Sequence, residues 1–253
     1  MGRVIAITGK GGTGKTAVAA LLVRYLIRSG RKYRVLVIDA DPDSNLADAL
    51  GVEVTKTVGD MREFMQEARY TTPPETDKER LFEAKIFEIL VEENGYDLLV
   101  MGKPEGSGCY CFVNNLLRGI MDRLIDQYDI TIIDTAAGLE HFSRKVIPDL
   151  DSLIVVTDSS RRGLTTGERI RELASELGLK YNNLYVIANK VTEGNKEKII
   201  ENARSVSLNV IGTIPYDERL ASFDLVGDPL INLPDDTPAV KEIEEHVVKA
   251  LGI

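Results

Sequence analysis

The segment Gly9-Lys10-Gly11-Gly12-Thr13-Gly14-Lys15-Thr16 constrains this chain more than any other. It matches the spacing G-x-x-x-x-G-K-[ST]. It also lies between a short apolar run, residues 4–8, and a segment, 15–28, with apolar residues at helical spacing. The chemistry requires that context. Glycines let backbone N–H groups converge on an anion without a Cβ in the way, and a helix N-terminus adds partial positive charge. Lys15 can then reach the β- and γ-phosphates of a nucleotide, and the Thr16 hydroxyl can ligate Mg2+.

The rest of the chain has the same rhythm. Short Val-, Ile- and Leu-rich runs at residues 34–39, 96–101, 130–134, 152–157, 184–189 and 209–214 read as buried strands. Helical spacing is found at 115–126, 165–177, 196–204 and 238–251. This alternation predicts an α/β fold: a mainly parallel central β-sheet flanked by helices on both faces. Residues 69–78, with Pro73-Pro74, read as a loop, and 79–93 is ambiguous between helix and strand. No repeat or linker interrupts the pattern, so a single ATPase domain over 1–253 is expected.

Composition removes several classes. At 43% hydrophobic and 28% charged residues, the chain can bury a core and is not disordered. A net charge of −9 repels phosphate backbones, so no nucleic-acid partner is expected. No apolar run approaches about 18 residues, so no membrane span is expected. The N-terminus carries no signal-peptide pattern, which predicts a cytoplasmic protein.

Two acidic segments suit the phosphate loop. Asp39-Ala40-Asp41-Pro42-Asp43-Ser44-Asn45 follows the second strand, and carboxylates at strand C-termini face the ligand edge of an open sheet. Asp39 and Asp43 are placed for Mg2+ or its waters; alternatively, the Asp/Ser cluster caps a short helix at 46–50. Asp134, closing the apolar run Ile132-Ile133, reads as the Walker B carboxylate that holds magnesium through water. Gly138 follows, and its N–H could meet a γ-phosphate, which makes residues 135–141 a candidate switch. For the base, the carboxamide of Asn189, with Lys190 beside it, can both donate to and accept from an adenine edge. Pro215, in Ile214-Pro215-Tyr216-Asp217, either flanks the base or simply turns the chain. No Asn-Lys-x-Asp guanine motif is present, since Val191-Thr192 follows Lys190, and this favours ATP/ADP.

Cys109 and Cys111 are the only cysteines, set in Gly106-Ser107-Gly108-Cys109-Tyr110-Cys111. On an extended chain, residues two apart point the same way, so both thiols could face one ion. Two thiolates are too few for tetrahedral S4 coordination, and a two-fold dimer would supply four. The competing reading is that both are small buried hydrophobes.

The run Lys-Gly-Gly-Thr-Gly-Lys-Thr, residues 10–16, resembles the deviant Walker A signature of the MinD and nitrogenase-iron-protein group of dimeric P-loop ATPases. The resemblance implies that Lys10 reaches the partner subunit's nucleotide, that Asp41 orients the attacking water, and that Asn189 contacts adenine. As a bare residue, Lys10 could equally be a solvated charge near phosphate. Four motifs narrow the likeness. Lys-Gly-Gly-x-Gly-Lys-Thr, Asp-x-Asp-Pro-Asp-Ser-Asn, Gly-x-Gly-Cys-x-Cys-x-x-Asn and Asp-Thr-x-Ala-Gly-x-Glu-His together look like the nickel-insertion ATPases that mature carbon monoxide dehydrogenase and acetyl-CoA synthase. That implies an ATP-dependent homodimer that binds Ni2+, or Zn2+ in its place, through Cys109 and Cys111. It also implies a Ni–Fe–S client enzyme. Glu140 and His141 follow the switch closely, so a nucleotide-driven shift of this segment could change the metal site. Two other outcomes stay open: an iron–sulfur carrier using the same cysteines, or a MinD-like nucleotide switch. A membrane-bound switch suits the chain poorly, because residues 238–253 contain Glu242, Glu244 and Glu245.

Overall fold

The computed structural model describes residues 2–61, 64, 73, 77–103, 111–138, 149–192 and 194–253, with backbone alone at 78, 79, 111–116, 161 and 162. Eight strands form one sheet: β1 (Arg3–Gly9), β2 (Val35–Ala40), β3 (Val91–Glu93), β4 (Tyr96–Val100), β5 (Ile130–Thr135), β6 (Leu150–Asp158), β7 (Tyr181–Val191) and β8 (Asn209–Pro215). Their spatial order is β3-β4-β2-β5-β1-β6-β7-β8, and only β3 runs antiparallel to its neighbour. β1 is therefore central, between β5 and β6. The loop after it lies where the winding direction reverses, the usual ligand position in such sheets.

Side-chain alternation along the strands divides the core in two. Ile5, Ile7, Val35, Val37, Ile130, Ile132, Ile154 and Val156 face one way. They pack against α1 (Lys15–Arg28), α2 (Asn45–Leu50) and the C-terminal helical segment. Val4, Ala6, Leu36, Ile38, Ile133, Leu153 and Val155 face the other way. There they meet α3 (Lys78–Ile89), α4 (Cys111–Ile125), α5 (Arg161–Glu176) and α6 (Lys196–Ser205). The expected fold is the one observed. Leu22 of α1 is fully buried in the first core. Leu22→Ala should lower stability by about 2–5 kcal/mol, through lost apolar transfer and the cavity left behind. A reduced urea midpoint with an unchanged denaturant slope would show it.

The ambiguous residues 79–93 contain both elements. Asp77 caps α3 by accepting from Arg80 N–H, and the chain leaves α3 for the short edge strand β3. Most of the expected loop 69–78 lies outside the described residues. α5 begins four residues before its expected start, because Ser160 accepts from Gly163 N–H and Asp158 accepts from Ser160 N–H. After α7 (Glu218–Val226), the C-terminal segment runs as α8 (Pro238–Glu242), a π-helical turn Ile243–Val247 and α9 (Val248–Leu251). Its apolar stripe, Ala239, Val240, Ile243, Val247, Val248 and Leu251, is buried against the sheet. That stripe is spent on the core and is not a surface for lipid. No helix among the described residues is long and apolar enough to cross a membrane.

Candidate functional site

The loop between β1 and α1 is built from backbone that only glycine adopts without strain. Gly12 and Gly14 have φ of 77° and 92°. At Gly14 space also decides, since an added Cβ would sit 2.3 Å from the Asn189 amide nitrogen. Three loop carbonyls are held by side chains, one from within the loop motif and two from β7. Lys10 C=O accepts from Thr13 Oγ1 at 2.8 Å and from Lys15 Nζ at 3.4 Å. Gly12 C=O accepts from Lys190 Nζ at 3.2 Å, and Thr13 C=O accepts from Asn189 Nδ2 at 2.8 Å. The N–H groups of Gly12, Gly14, Lys15 and Thr16 have no acceptor among the described residues. Such a nest of donors at a helix start holds an anion. α1 carries no acidic residue in its first turn to compete with one.

Asp39 and Asp134 are register partners on β2 and β5, beside the loop. Both are buried, at 0% and 1% exposure. Burial pushes Asp39 up to about 6, against the pull of the backbone N–H groups of Asp41, Leu46 and Ala47. Burial pushes Asp134 up to about 7, opposed by the Thr16 hydroxyl and reinforced by Asp39. Thr16 Oγ1 donates to Asp134 Oδ2 at 2.7 Å, while the buried Oδ1 has no partner among the described residues. A hydroxyl, an orphaned carboxylate oxygen and a second carboxylate in register are hard oxygen donors that suit Mg2+.

The helix-cap reading of the second acidic segment applies to an unexpected residue. α2 is capped by Asp39, whose Oδ2 accepts from Leu46 N–H at 3.0 Å, and the Ser44 side chain makes no capping bond. Asp43 is exposed and gives its backbone N–H to Asp41 Oδ1 at 3.0 Å, which fixes the Asp41 carboxylate. Gly138 N–H donates to Gly9 C=O at 3.1 Å, and Thr8 Oγ1 donates to Gly138 C=O at 3.1 Å. The candidate switch is thus latched to the end of β1 at its first residues; Glu140 and His141 lie outside the described residues.

The structure brings Lys10, Lys15, Thr16, Asp39, Asp41, Asp134, Gly138, Asn189 and Lys190 to one sheet edge. Asn189, expected at the base, is 8% exposed and spends one amide hydrogen on the loop. Pro215 ends β8. Beyond it Asp217 caps α7, accepting from Arg219 and Leu220 N–H, which is the turn reading of that segment; Tyr216 is left 60% exposed.

Cys109 lies outside the described residues, and Cys111 is the first residue of α4. The extended geometry expected for the cysteine pair therefore stops at Cys111, because a helix turns successive side chains about 100° apart. α4 has 15 residues, a length of about 22 Å, and its C-terminus leads into the start of β5. It runs antiparallel to the strands, which puts Cys111 toward the sheet edge that carries the phosphate loop.

The capping role of Asp39 and the tie between Asn189 and Thr13 were not read from the sequence. Both depend on residues far apart in the chain, and only the position of Asn189 at the end of a strand hinted at the edge it occupies.

Residues 4–230 match the family described as the CobQ/CobB/MinD/ParA nucleotide binding domain. The chain belongs to that family. It is an ATP-binding P-loop ATPase of the MinD/ParA type. It is 50% identical over 251 residues to an uncharacterized ATP-binding protein of Methanocaldococcus jannaschii, covering 98% of both chains. It is 32% identical over 263 residues to the carbon monoxide dehydrogenase accessory protein CooC of Rhodospirillum rubrum, covering 98% of this chain and 95% of that one. MinD of Pyrococcus horikoshii, solved with Mg-ADP, superimposes with a TM-score of 0.69 at 22% identity. That match covers 96% of this chain and 93% of the other, and it carries the fold alone.

Proposed function

We propose that this MinD/ParA-type ATPase is a nickel chaperone that works as a homodimer and loads Ni2+ into a Ni–Fe–S enzyme such as carbon monoxide dehydrogenase or acetyl-CoA synthase. The observation that carries the reading is the glycine-flanked Cys109-x-Cys111 pair, in a chain similar to CooC over nearly its full length. One domain houses both functions.

The loop N–H groups and Lys15 bind the phosphates. Thr16 and the unpartnered oxygen of Asp134 would hold Mg2+, which would supply charge neutralisation at the phosphates. Asp39, its two oxygens occupied by N–H donors, fixes the turn that presents Asp41. Asp41 accepts a hydrogen bond from the attacking water and turns its lone pair toward the γ-phosphorus. Lys15 stabilises charge as the γ-phosphoryl group leaves. Lys10, exposed on the same edge, reaches the nucleotide of the second copy. Adenine sits at the ends of β7 and β8, flanked by Pro215 and the exposed Tyr216.

For Gly138 N–H to meet a γ-phosphate, its bond to Gly9 C=O must break. This makes residues 135–141 the part that differs between the ATP and ADP states. Dimer closure sets the spacing of the two cysteine pairs, whose four thiolates bind Ni2+ as cargo, and hydrolysis reopens the dimer.

The test is Cys109→Ser/Cys111→Ser in anaerobic equilibrium dialysis against Ni2+. Loss of bound nickel with basal ATPase retained is expected. Iron and sulfide in the protein purified anaerobically, with no nickel uptake, would instead make it an iron–sulfur carrier.

A further inference from the structure

A cleft of about 360 Å³ opens at the starts of β2 and β4, the end of the sheet opposite the phosphate loop. Cavities of this size hold small ligands. Tyr33, Arg34, Glu93, Tyr96, Asp97 and Tyr128 line it. The local sequence builds it. The two-residue turn Asn94-Gly95, with Gly95 at φ 99°, folds β3 back onto β4 and sets Glu93 opposite Tyr96 and Glu92 opposite Asp97. Like charges directly opposite on a ladder repel each other. Among the described residues none of Glu92, Glu93 and Asp97 has a salt-bridge partner, so this end of the hairpin carries uncompensated negative charge. The cleft crosses the sheet edge and collects rings from both cores: Tyr33 and Tyr96 from the one under α1, Tyr128 from the other.

The cleft has acceptors in excess of donors. Tyr128 Oη donates to Asp97 Oδ2, which leaves Asp97 Oδ1 without a partner among the described residues. Tyr96 is 5% exposed, and its hydroxyl makes no hydrogen bond among the described residues. Burial and then the Glu93 charge push that hydroxyl up to about 12. Burial, then Asp97 and Glu92, push Tyr128 up as well, and Arg34 pulls weakly the other way. Arg34 lies at the rim, its side chain 67% exposed and already paired with Asp129. A guest must therefore bring positive charge and N–H donors, while the three tyrosines offer it apolar walls and ring faces. We propose that this cleft is a second small-molecule site, which takes a primary ammonium ion carried on a short apolar or aromatic body. It lies across the sheet from the nucleotide and shares no residue with it.

The probe is 2-phenylethylamine, with 2-phenylethanol as its neutral counterpart and phenylalanine as its zwitterionic one. Each would be titrated into the full chain, with and without Mg-ADP, and followed by amide NMR shifts. The amine should bind saturably in both conditions and move the amides of residues 33–35, 93–97 and 127–129. The alcohol should bind about tenfold more weakly or worse, the scale of a lost hydrogen bond to a charged group. Asp97→Asn should weaken the amine by a similar factor, and Glu93→Gln, at an exposed and screened charge, by about threefold. Because Glu93 sits on the exposed edge strand, that variant keeps the test if Asp97→Asn fails to fold. No saturable binding of the amine, alcohol bound as tightly as amine, or amine binding unchanged in both variants would overturn the proposal. Amine displaced by Mg-ADP would overturn it too, since the cleft would not be a separate site. Phenylalanine bound more tightly than the amine would make Arg34 a carboxylate anchor and the cleft an amino-acid site, which contradicts the assignment.

Discussion

Lys15→Gln is expected to abolish ATP hydrolysis while leaving the fold intact. Lys15 is 7% exposed, and its ammonium group rests on the Lys10 carbonyl, at the mouth of the N–H nest. A charge held there in advance needs no reorganisation as the γ-phosphoryl group moves. Removing one such donor commonly costs about 10²–10³-fold in rate. Glutamine keeps part of the stem and an N–H donor but is shorter and uncharged, so the unfolding midpoint should change little. Steady-state phosphate release checks the prediction. The same variant should still bind Ni2+ through its thiols in the open state. If nickel binding vanished together with hydrolysis, the metal and nucleotide sites would not be separable as proposed.

Asp134→Asn should act in two opposite directions. Hydrolysis should fall by about 10²-fold or more, because the amide cannot supply the anionic oxygen that the Mg2+ site needs. Stability of the nucleotide-free protein should rise at alkaline pH. Burial raises this carboxyl from 3.8 to about 7 in the folded chain. Between those values the folded state binds more protons than the unfolded one, so stability falls as pH climbs through the window. Above it, a full buried anion burdens the fold. Asparagine retains an acceptor for the Thr16 hydroxyl and removes the anion. Thermal unfolding at pH 5 and pH 8, without nucleotide or divalent cations, should show the variant ahead at pH 8 by a larger margin than at pH 5. A variant less stable than wild type at pH 8 would mean that Asp134 is a structural anion and not a cation ligand.

The sequence made the local elements and the phosphate loop easy to read, because each is encoded in adjacent residues. Residues 9–16 contain both the glycines and the lysine of the cradle, and alternation along strands such as 130–134 sorts side chains onto the two faces of the sheet. Contacts between distant residues were harder to see. The Asp/Ser cluster reads either as cation ligands or as a cap for α2, yet which residue does the capping was not legible: it is Asp39, through a bond to Leu46 that spans seven residues and a turn. Asn189 was expected at adenine from its carboxamide and the family resemblance; its bond to Thr13, which is 176 residues away, was not legible. The latch from Gly138 to Gly9 likewise needs β5 and β1 side by side, and no spacing rule within either motif records that. Cys111 is a different case. The glycines before the cysteine pair suggested a loop, but the apolar pattern of α4 extends back far enough to include Cys111.

Nickel stoichiometry tests the central claim most directly. Reduced, metal-free protein would be titrated with Ni2+ under anaerobic conditions, with and without ATP, while the mass of the species in solution is measured at each point. The account predicts one tightly bound Ni2+ per two chains, on a dimer, and loss of that ion in Cys109→Ser/Cys111→Ser. Nickel bound equally well by the double variant, or no binding in either nucleotide state, would contradict it and leave an ATP-dependent switch whose client is something other than a nickel enzyme.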